Sequence, residues 1–122
     1  MKKIPLLFLI FFSFNTYAVN WHKVGEKNGN TFYVDVDNIK KQTGFVYYWE
    51  LLDLKEPKFG TLSTISKFKA DCIDKKKAML SITSYTGQMG KYLVTNEAKY
   101  DGTRFTDASS SVEMKFACDH SK

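Results

Sequence analysis

Cys72 and Cys118 are the only cysteines in this chain, and the residues at its start put them where they can pair. Lys2 and Lys3 precede a mostly apolar run from Ile4 to Phe14, and small residues close the segment at Thr16-Tyr17-Ala18. A positive end, a short apolar core and a small-residue cut site are the plan of a secretory signal. The apolar core falls short of the roughly 20 residues that span a bilayer, so residues 1–18 read as a signal peptide rather than a membrane span. Export brings the chain into an oxidising compartment, where two cysteines admit one intramolecular bridge. The rival readings are an intermolecular bridge and a redox pair, but redox pairs usually sit as C-x-x-C and that spacing is absent. Closing the loop from Cys72 to Cys118 is worth about 4 kcal/mol in chain-entropy terms. That is a large share of the stability of a small domain.

Residues 19–122 have the length of one domain, with no repeat, low-complexity tract or Pro/Gly/Ser linker to divide them. Val19 stands where a lipoprotein would carry its lipid-accepting cysteine, so no lipid anchor is expected. The expected location is the periplasm, the cell surface or the medium. The formal net charge is +5, with lysines spread along the chain and one cluster, Lys75-Lys76-Lys77. That cluster reads first as a solvated turn, and second as a contact for an acidic partner such as a sulfated glycan or an anionic membrane surface.

Alternation predicts strands over most of the domain. Val19 to Gly25 is a first strand. Glu26 to Asn30 is a turn, because Asn28-Gly29 supplies the positive φ of a tight hairpin. Thr31 to Val36 follows, with Phe32, Val34 and Val36 on one face. Asp37 is expected to cap a short helical turn to Lys41, with Ile39 inward and Gly44 as its end. Phe45 to Leu54 is apolar on both faces, Phe45, Tyr47, Trp49 and Leu51 on one and Val46, Tyr48, Leu52 and Leu54 on the other. Such a strand is central and covered on both sides, or it borders a partner, a second copy in a homodimer included. Glu56 to Gly60 breaks the pattern. Leu62 to Cys72 alternates again and puts Cys72 on the apolar side. Asp74 to Lys77 reads as a hairpin loop. Ala78 to Thr86 is a strand with Leu80 and Ile82 inward, Gly87 to Gly90 a loop, and Tyr92 to Thr95 a last short strand. At the end, Val112, Met114, Phe116 and Cys118 fit a strand by alternation. The capping box Ser110-x-x-Glu113 ahead of Val112, Phe116 and Ala117 favours a helix from about Ser110 to Asp119. The expected class is α+β, an antiparallel meander with a C-terminal helix packed on it and stapled by the disulfide.

Catalytic chemistry is thinly represented. His22 and His120 are the only histidines, and no set of His, Cys and carboxylates has metal-ligand spacing. A nucleophilic serine lacks a G-x-S-x-G elbow. A thiol–histidine pair at Cys118-Asp119-His120 would lose its thiol to the bridge. Asp35, Glu50, Asp53 and Glu56 could supply paired carboxylates for glycoside cleavage, but nothing singles out two of them, and they read as solvated or hairpin residues. No enzyme activity and no cofactor are expected. The aromatics are abundant, with 7 Tyr, 10 Phe and 2 Trp. Because successive strand residues alternate, Tyr47, Tyr48 and Trp49 cannot share a face. Some of Tyr47, Trp49 and Tyr85 are therefore candidates for exposure. With Lys67, Lys69, Lys75, Lys76 and Lys77 they form the candidate binding surface, suited to a protein partner. Export argues against nucleic acid.

An ordered set of segments also resembles one known family. Trp21-His22-Lys23-Val24-Gly25 comes first, then Phe32-Tyr33-Val34-Asp35 ahead of Ile39. Val46 to Asp53 leads into Lys55-Glu56-Pro57, and Lys67-Phe68-Lys69-Ala70-Asp71-Cys72 follows. Tyr85-Thr86-Gly87-Gln88-Met89-Gly90 is the most specific stretch, and Val112 to Cys118 completes the series. In this order the segments resemble the surface-adhesin protein E family of exported proteobacterial domains. The resemblance implies a curved antiparallel sheet with a C-terminal helix. It also implies binding to host extracellular-matrix or serum proteins, such as vitronectin and laminin for the adhesin that names the family. The chain departs from an anchored adhesin in lacking the lipid-accepting cysteine, which motivates a second expectation, an accessory or inhibitor protein acting on a cell-envelope partner. Leu93 to Phe105 matches nothing in the series.

Overall fold

In the computed structural model, which describes residues 19–121, the strands form one antiparallel, open and curved sheet. The expected signal peptide lies outside the described residues. The strands are β1 (Trp21–Lys27), β2 (Asn30–Asp35), β3 (Lys40–Gln42), β4 (Phe45–Lys58), β5 (Thr61–Asp71), β6 (Lys76–Tyr85), β7 (Val94–Lys99) and β8 (Thr106–Asp107). Their order is β1-β2-β4-β5-β6-β7, with β3 on β4 and β8 on β6. Three long strands, β4 to β6, make the middle. β3 and β2 share the outer side of β4, and β8 and β7 share that of β6.

Three of the hairpins turn on two residues. Asn28-Gly29 (φ 56° and 85°), Thr43-Gly44 (50° and 87°) and Phe59-Gly60 (51° and 78°) all have positive φ at both positions. That is the type I′ geometry whose twist matches the flanking strands, and glycine supplies the second position without steric cost. The first turn was legible. The second replaces the expected end of a helical turn, because Lys40–Gln42 is a strand paired with Phe45–Tyr47. The third moves the break at Glu56–Gly60 to its last residues. Pro57 lies inside β4, where the pairing with β5 shifts register between Asp53 and Lys58, an irregularity that tolerates the missing amide hydrogen.

The helical turn after β2 is also displaced. A 3-10 turn covers Val36–Asn38, and its cap is Asp35 rather than Asp37. The Asp35 carboxylate accepts from the Asn20 amide at 3.0 Å, the Asp37 amide at 3.2 Å and Asn38 Nδ2 at 2.7 Å. Asp35 is buried, and these donors offset the cost of burying its charge.

The core lies on the even face of β4. Val46 and Tyr48 pair across to Ala70 and Phe68 of β5. Val34 of β2 and Met114 and Ala117 of the helix α1 (Val112–Asp119) close the cluster. The Ser111 hydroxyl accepts from the Met114 amide at 3.1 Å and caps α1, one residue later than the expected Ser110. Its buried stripe differs accordingly. Met114 and Ala117 face the sheet with Cys118 beside them, while Val112 is exposed. The bridge between Cys72 and Cys118, with Cα atoms 6.0 Å apart, turns Cys118 toward β5. Positions 114, 117 and 118 share that side by helical spacing. On β6, a register shift opposite Lys67/Phe68 pairs Phe68 with Met79, so Met79 packs on the core in place of the expected Leu80.

A half-buried polar cluster joins α1 to the sheet. Lys77 Nζ reaches Glu50 Oε2 at 3.0 Å and Ser111 Oγ at 3.4 Å, and lies 4.1 Å from the centre of the Phe68 ring. The Tyr48 hydroxyl donates to Glu50 Oε2 at 2.6 Å. Burial, then the neighbouring Glu50 carboxylate, keeps the Tyr48 phenol protonated far above its ordinary range. Burial also pushes the Glu50 carboxyl above its ordinary value near 4.5, opposed by the Lys77 ammonium and the Tyr48 hydroxyl and reinforced by Glu113.

Two outcomes follow for stability. Cys118→Ser is expected to lower the melting temperature by several degrees, since a domain of this size moves roughly 4–8 °C per kcal/mol; an unchanged non-reducing melt would remove the bridge from the account. Because the folded pKa of Glu50 is raised, its contribution to stability is full below about pH 4.5 and is lost as pH rises through the folded value. Melting temperatures measured from pH 4 upward are therefore expected to contain a falling component that Glu50→Gln removes, and the same slope in both proteins would contradict this.

Candidate functional site

The face of the sheet opposite α1 carries the odd residues of β4. Register sets Tyr47 across from Lys69 and Trp49 across from Lys67, so aromatic and cationic side chains stand side by side on neighbouring strands. Lys67 Nζ is 5.4 Å from the centre of the Trp49 ring. Lys69 Nζ is 4.4 Å from Phe45 and 5.6 Å from Phe105, whose rings are stacked with centres 5.8 Å apart. Each such contact is worth about 0.5–1 kcal/mol where water reaches it, enough to bias where a lysine points.

Beside this ladder lies a groove of about 660 Å³, lined by Trp21, Lys40, Gln42, Tyr47, Trp49 and Lys67 among others. Strands β1, β3, β4 and β5 each contribute. Asp35 borders it, but its carboxylate is engaged by the Asn20, Asp37 and Asn38 donors. Neither Lys40 nor Lys67 has an ion-pair partner among the described residues. The groove can therefore stack planar or apolar groups on its rings while presenting positive charge to them, which is binding chemistry.

The residues singled out in the sequence divide. Tyr47, Trp49, Lys67 and Lys69 come together. Tyr85 pairs with Ser63 further along the sheet, where a 3-10 turn at Gln88–Gly90 folds over it. A Cβ on Gly90 would lie 2.6 Å from Ile65 Cδ1 and 3.7 Å from Tyr85 Cε1. Lys75 and Lys76 are exposed at the β5–β6 turn, but Lys77 points inward to Glu50 beneath α1, so the lysine run is only partly a solvated turn.

Three of the four carboxylates considered for catalysis hold structure instead, and the fourth, Glu56, is exposed on β4. Asp35 caps the turn after β2, Glu50 pairs with Lys77, and Asp53 accepts from the Met89 amide at 2.9 Å. His22 and His120, far apart in the chain, stack on the Phe116 ring, with centres 5.2 Å and 4.0 Å away. Both thiols are consumed by the bridge, and among the described residues no His, Cys and carboxylate side chains gather as a metal site. Phe45, Trp21, Lys40 and Phe105 are the site residues that sequence reasoning missed. Phe45 shares parity with Tyr47 and Trp49 and could have been included on that signal. Phe105 follows β7 in a stretch without periodicity.

Comparison with known proteins gives a consistent picture. No curated protein matches the sequence. Solved structures similar in fold include two of protein E. Crystal form II of Haemophilus influenzae protein E is 15% identical, with a TM-score of 0.56 over 86% of this chain and 89% of that one. Protein E from non-typeable Haemophilus influenzae is 10% identical, with a TM-score of 0.54 over 86% of this chain and 76% of that one. The sequence profile described as "Surface-adhesin protein E" matches residues 21–119, a span from the first residue of β1 to the last of α1, and the chain belongs to the surface-adhesin protein E family.

Proposed function

We propose that this chain is an exported, non-catalytic binding domain with an adhesin-like role, and that it engages a protein partner through the uncovered sheet face. The observation that carries the reading is the groove lined by Trp21, Tyr47 and Trp49 with Lys40 and Lys67 at its walls. Large aromatic side chains in a preformed recess are where binding energy concentrates in protein interfaces, and unpaired lysines beside them steer acidic partners. Family membership supports the adhesin-like part of the reading. Host matrix or serum proteins, vitronectin and laminin among them, are the partners to test first. Residues 1–18 act as a signal peptide cut after Ala18, so that Val19 is the first residue of the exported form. Among the described residues no helix is long and apolar enough to cross a membrane.

Immobilised matrix proteins are expected to capture the folded protein at micromolar concentration, measured by interferometry. Trp49→Ala is expected to weaken capture at least about tenfold, the scale of an aromatic hot spot. Lys67→Ala is expected to reduce the on-rate and its salt dependence. Absence of capture by folded protein at physiological salt would refute the reading. So would capture unchanged by either substitution.

Val19 at the expected cut site favours one second reading, a soluble protein acting on a cell-envelope partner. Fractionation separates the two: a surface or medium pool supports the adhesin-like role, and a purely periplasmic pool with bacterial partners only in crosslinking supports the second.

A further inference from the structure

Two loops at one end of the sheet expose large apolar side chains. The first is the β4–β5 turn, where Phe59 is 99% exposed. The second joins β6 to β7, where Tyr92, Leu93 and Val94 are 82%, 74% and 53% exposed. Thr61 and Thr95, each just past one of these tips, bring them together through hydroxyls 3.2 Å apart.

Packing within the fold accounts for little of this exposure: the Tyr92 ring rests on Gly87, where an added Cβ would collide with it, yet most of the ring stays in solvent. Phe59 occupies the first position of a type I′ turn at φ 51°, where asparagine or glycine is favoured, as Asn28 shows in the β1–β2 turn. Tyr92 sits at φ 73°, again a backbone region that an aromatic residue rarely adopts. The second tip is held firmly. The Thr86 amide donates to the Leu93 carbonyl at 2.9 Å, the Leu93 amide to Thr86 Oγ1 at 3.2 Å, and the Gly87 amide to the Lys91 carbonyl at 3.1 Å. Beneath it, the Ser63 hydroxyl donates to the Gly87 carbonyl at 2.6 Å and accepts from the Gly90 amide at 2.8 Å. The apolar groups are thus presented on a braced frame.

The charges around the tips are arranged in the same way twice. A lysine directly precedes each aromatic, Lys58 before Phe59 and Lys91 before Tyr92, and both are exposed. The exposed carboxylates Glu56 and Glu97 lie further back along β4 and β7. Apolar and aromatic side chains at the foremost points with lysines just behind match the layering of a bilayer surface. Rings sit at the acyl boundary and ammonium groups reach anionic headgroups. Protruding tips also favour a deformable apolar medium over a protein, which would need a pocket for each of them.

We propose that the Lys58-Phe59 and Lys91-Tyr92-Leu93-Val94 tips form a peripheral docking surface for an anionic phospholipid bilayer. This surface is separate from the groove, so the two engagements can be tested apart.

The test is flotation with vesicles of phosphatidylglycerol and phosphatidylethanolamine, using protein purified in the form that expressing cells export. Folded wild-type protein is expected to float with these vesicles and to release with salt or on vesicles of phosphatidylcholine alone. Phe59→Asn and Leu93→Ser are each expected to lower the vesicle partition coefficient about tenfold, as removal of a buried apolar side chain does. Phe59→Asn is expected to keep or raise the melting temperature, because asparagine suits the turn, and this separates loss of docking from loss of fold. Any leader retained in the preparation affects wild type and variants equally. Failure of wild-type protein to bind anionic vesicles overturns the proposal. Binding that both substitutions leave unchanged, or that is equal on phosphatidylcholine, overturns it too. So does capture of a protein by these tips in the absence of vesicle binding.

Discussion

The seat of α1 on the sheet is the contact on which the remaining architecture depends. Eight residues are too few for a helix to persist alone, since isolated helices need roughly 12–15 residues even with favourable composition. This one exists because Ser111 caps it, Met114 and Ala117 pack on Tyr48 and Phe68, and Cys118 is bonded to Cys72. It is the sole α-helix among the described residues and covers one face of the sheet. On the other face the Gln88–Gly90 turn covers the end around Ile65 and Tyr85; the rest must remain compatible with water, and the lysines beside Phe45, Tyr47 and Trp49 provide that compatibility without removing the rings from reach. A surface suited to binding is in this sense a by-product of having one short helix and a large sheet.

The polar cluster under α1 gives that seat its particular orientation. Lys77 sits over the Phe68 ring, reaches Glu50 on β4, and lies within 3.4 Å of the capping Ser111. A helix rotated by one residue would break the Ser111 contact and move Glu113, already buried beside the pair, out of its place. Buried ion pairs contribute little net energy against apolar packing but penalise alternatives that leave a charge unmatched. Packing and bridge therefore hold α1 down, while Lys77 and Glu50 favour one rotation of it.

Much of this was legible in the residues, and the exceptions have specific causes. An apolar run on both faces located β4, alternation located β5 and β6, and two cysteines in an exported chain left one bridge to draw. The Ser110 cap was one residue early, because consecutive serines offer the same chemistry and the choice between them is made by distant contacts, the bridge at Cys118 and Lys77 on Ser111. Lys77 looked solvated because a run of three lysines carries no sign that its last member faces a buried glutamate on a distant strand. Thr43-Gly44 and Phe59-Gly60 were not read as hairpins because threonine and phenylalanine are poor formers of such turns. The groove was half legible, since parity groups Tyr47 and Trp49, but Trp21 and Lys40 reach it through pairings that no local pattern encodes.

The His22–Phe116–His120 stack sets the first strand beside the helix, so the described residues begin and finish at one pole of the molecule. The turns at Asn28-Gly29 and Phe59-Gly60 occupy the other, where the Lys55 side chain lies against Gly29. First and last elements this close make the order of elements along the chain separable from their arrangement in space. A circular permutant closed by a short linker from Ser121 back to Asn20 and opened between β4 and β5 would retain each ladder, the bridge and the helix seat.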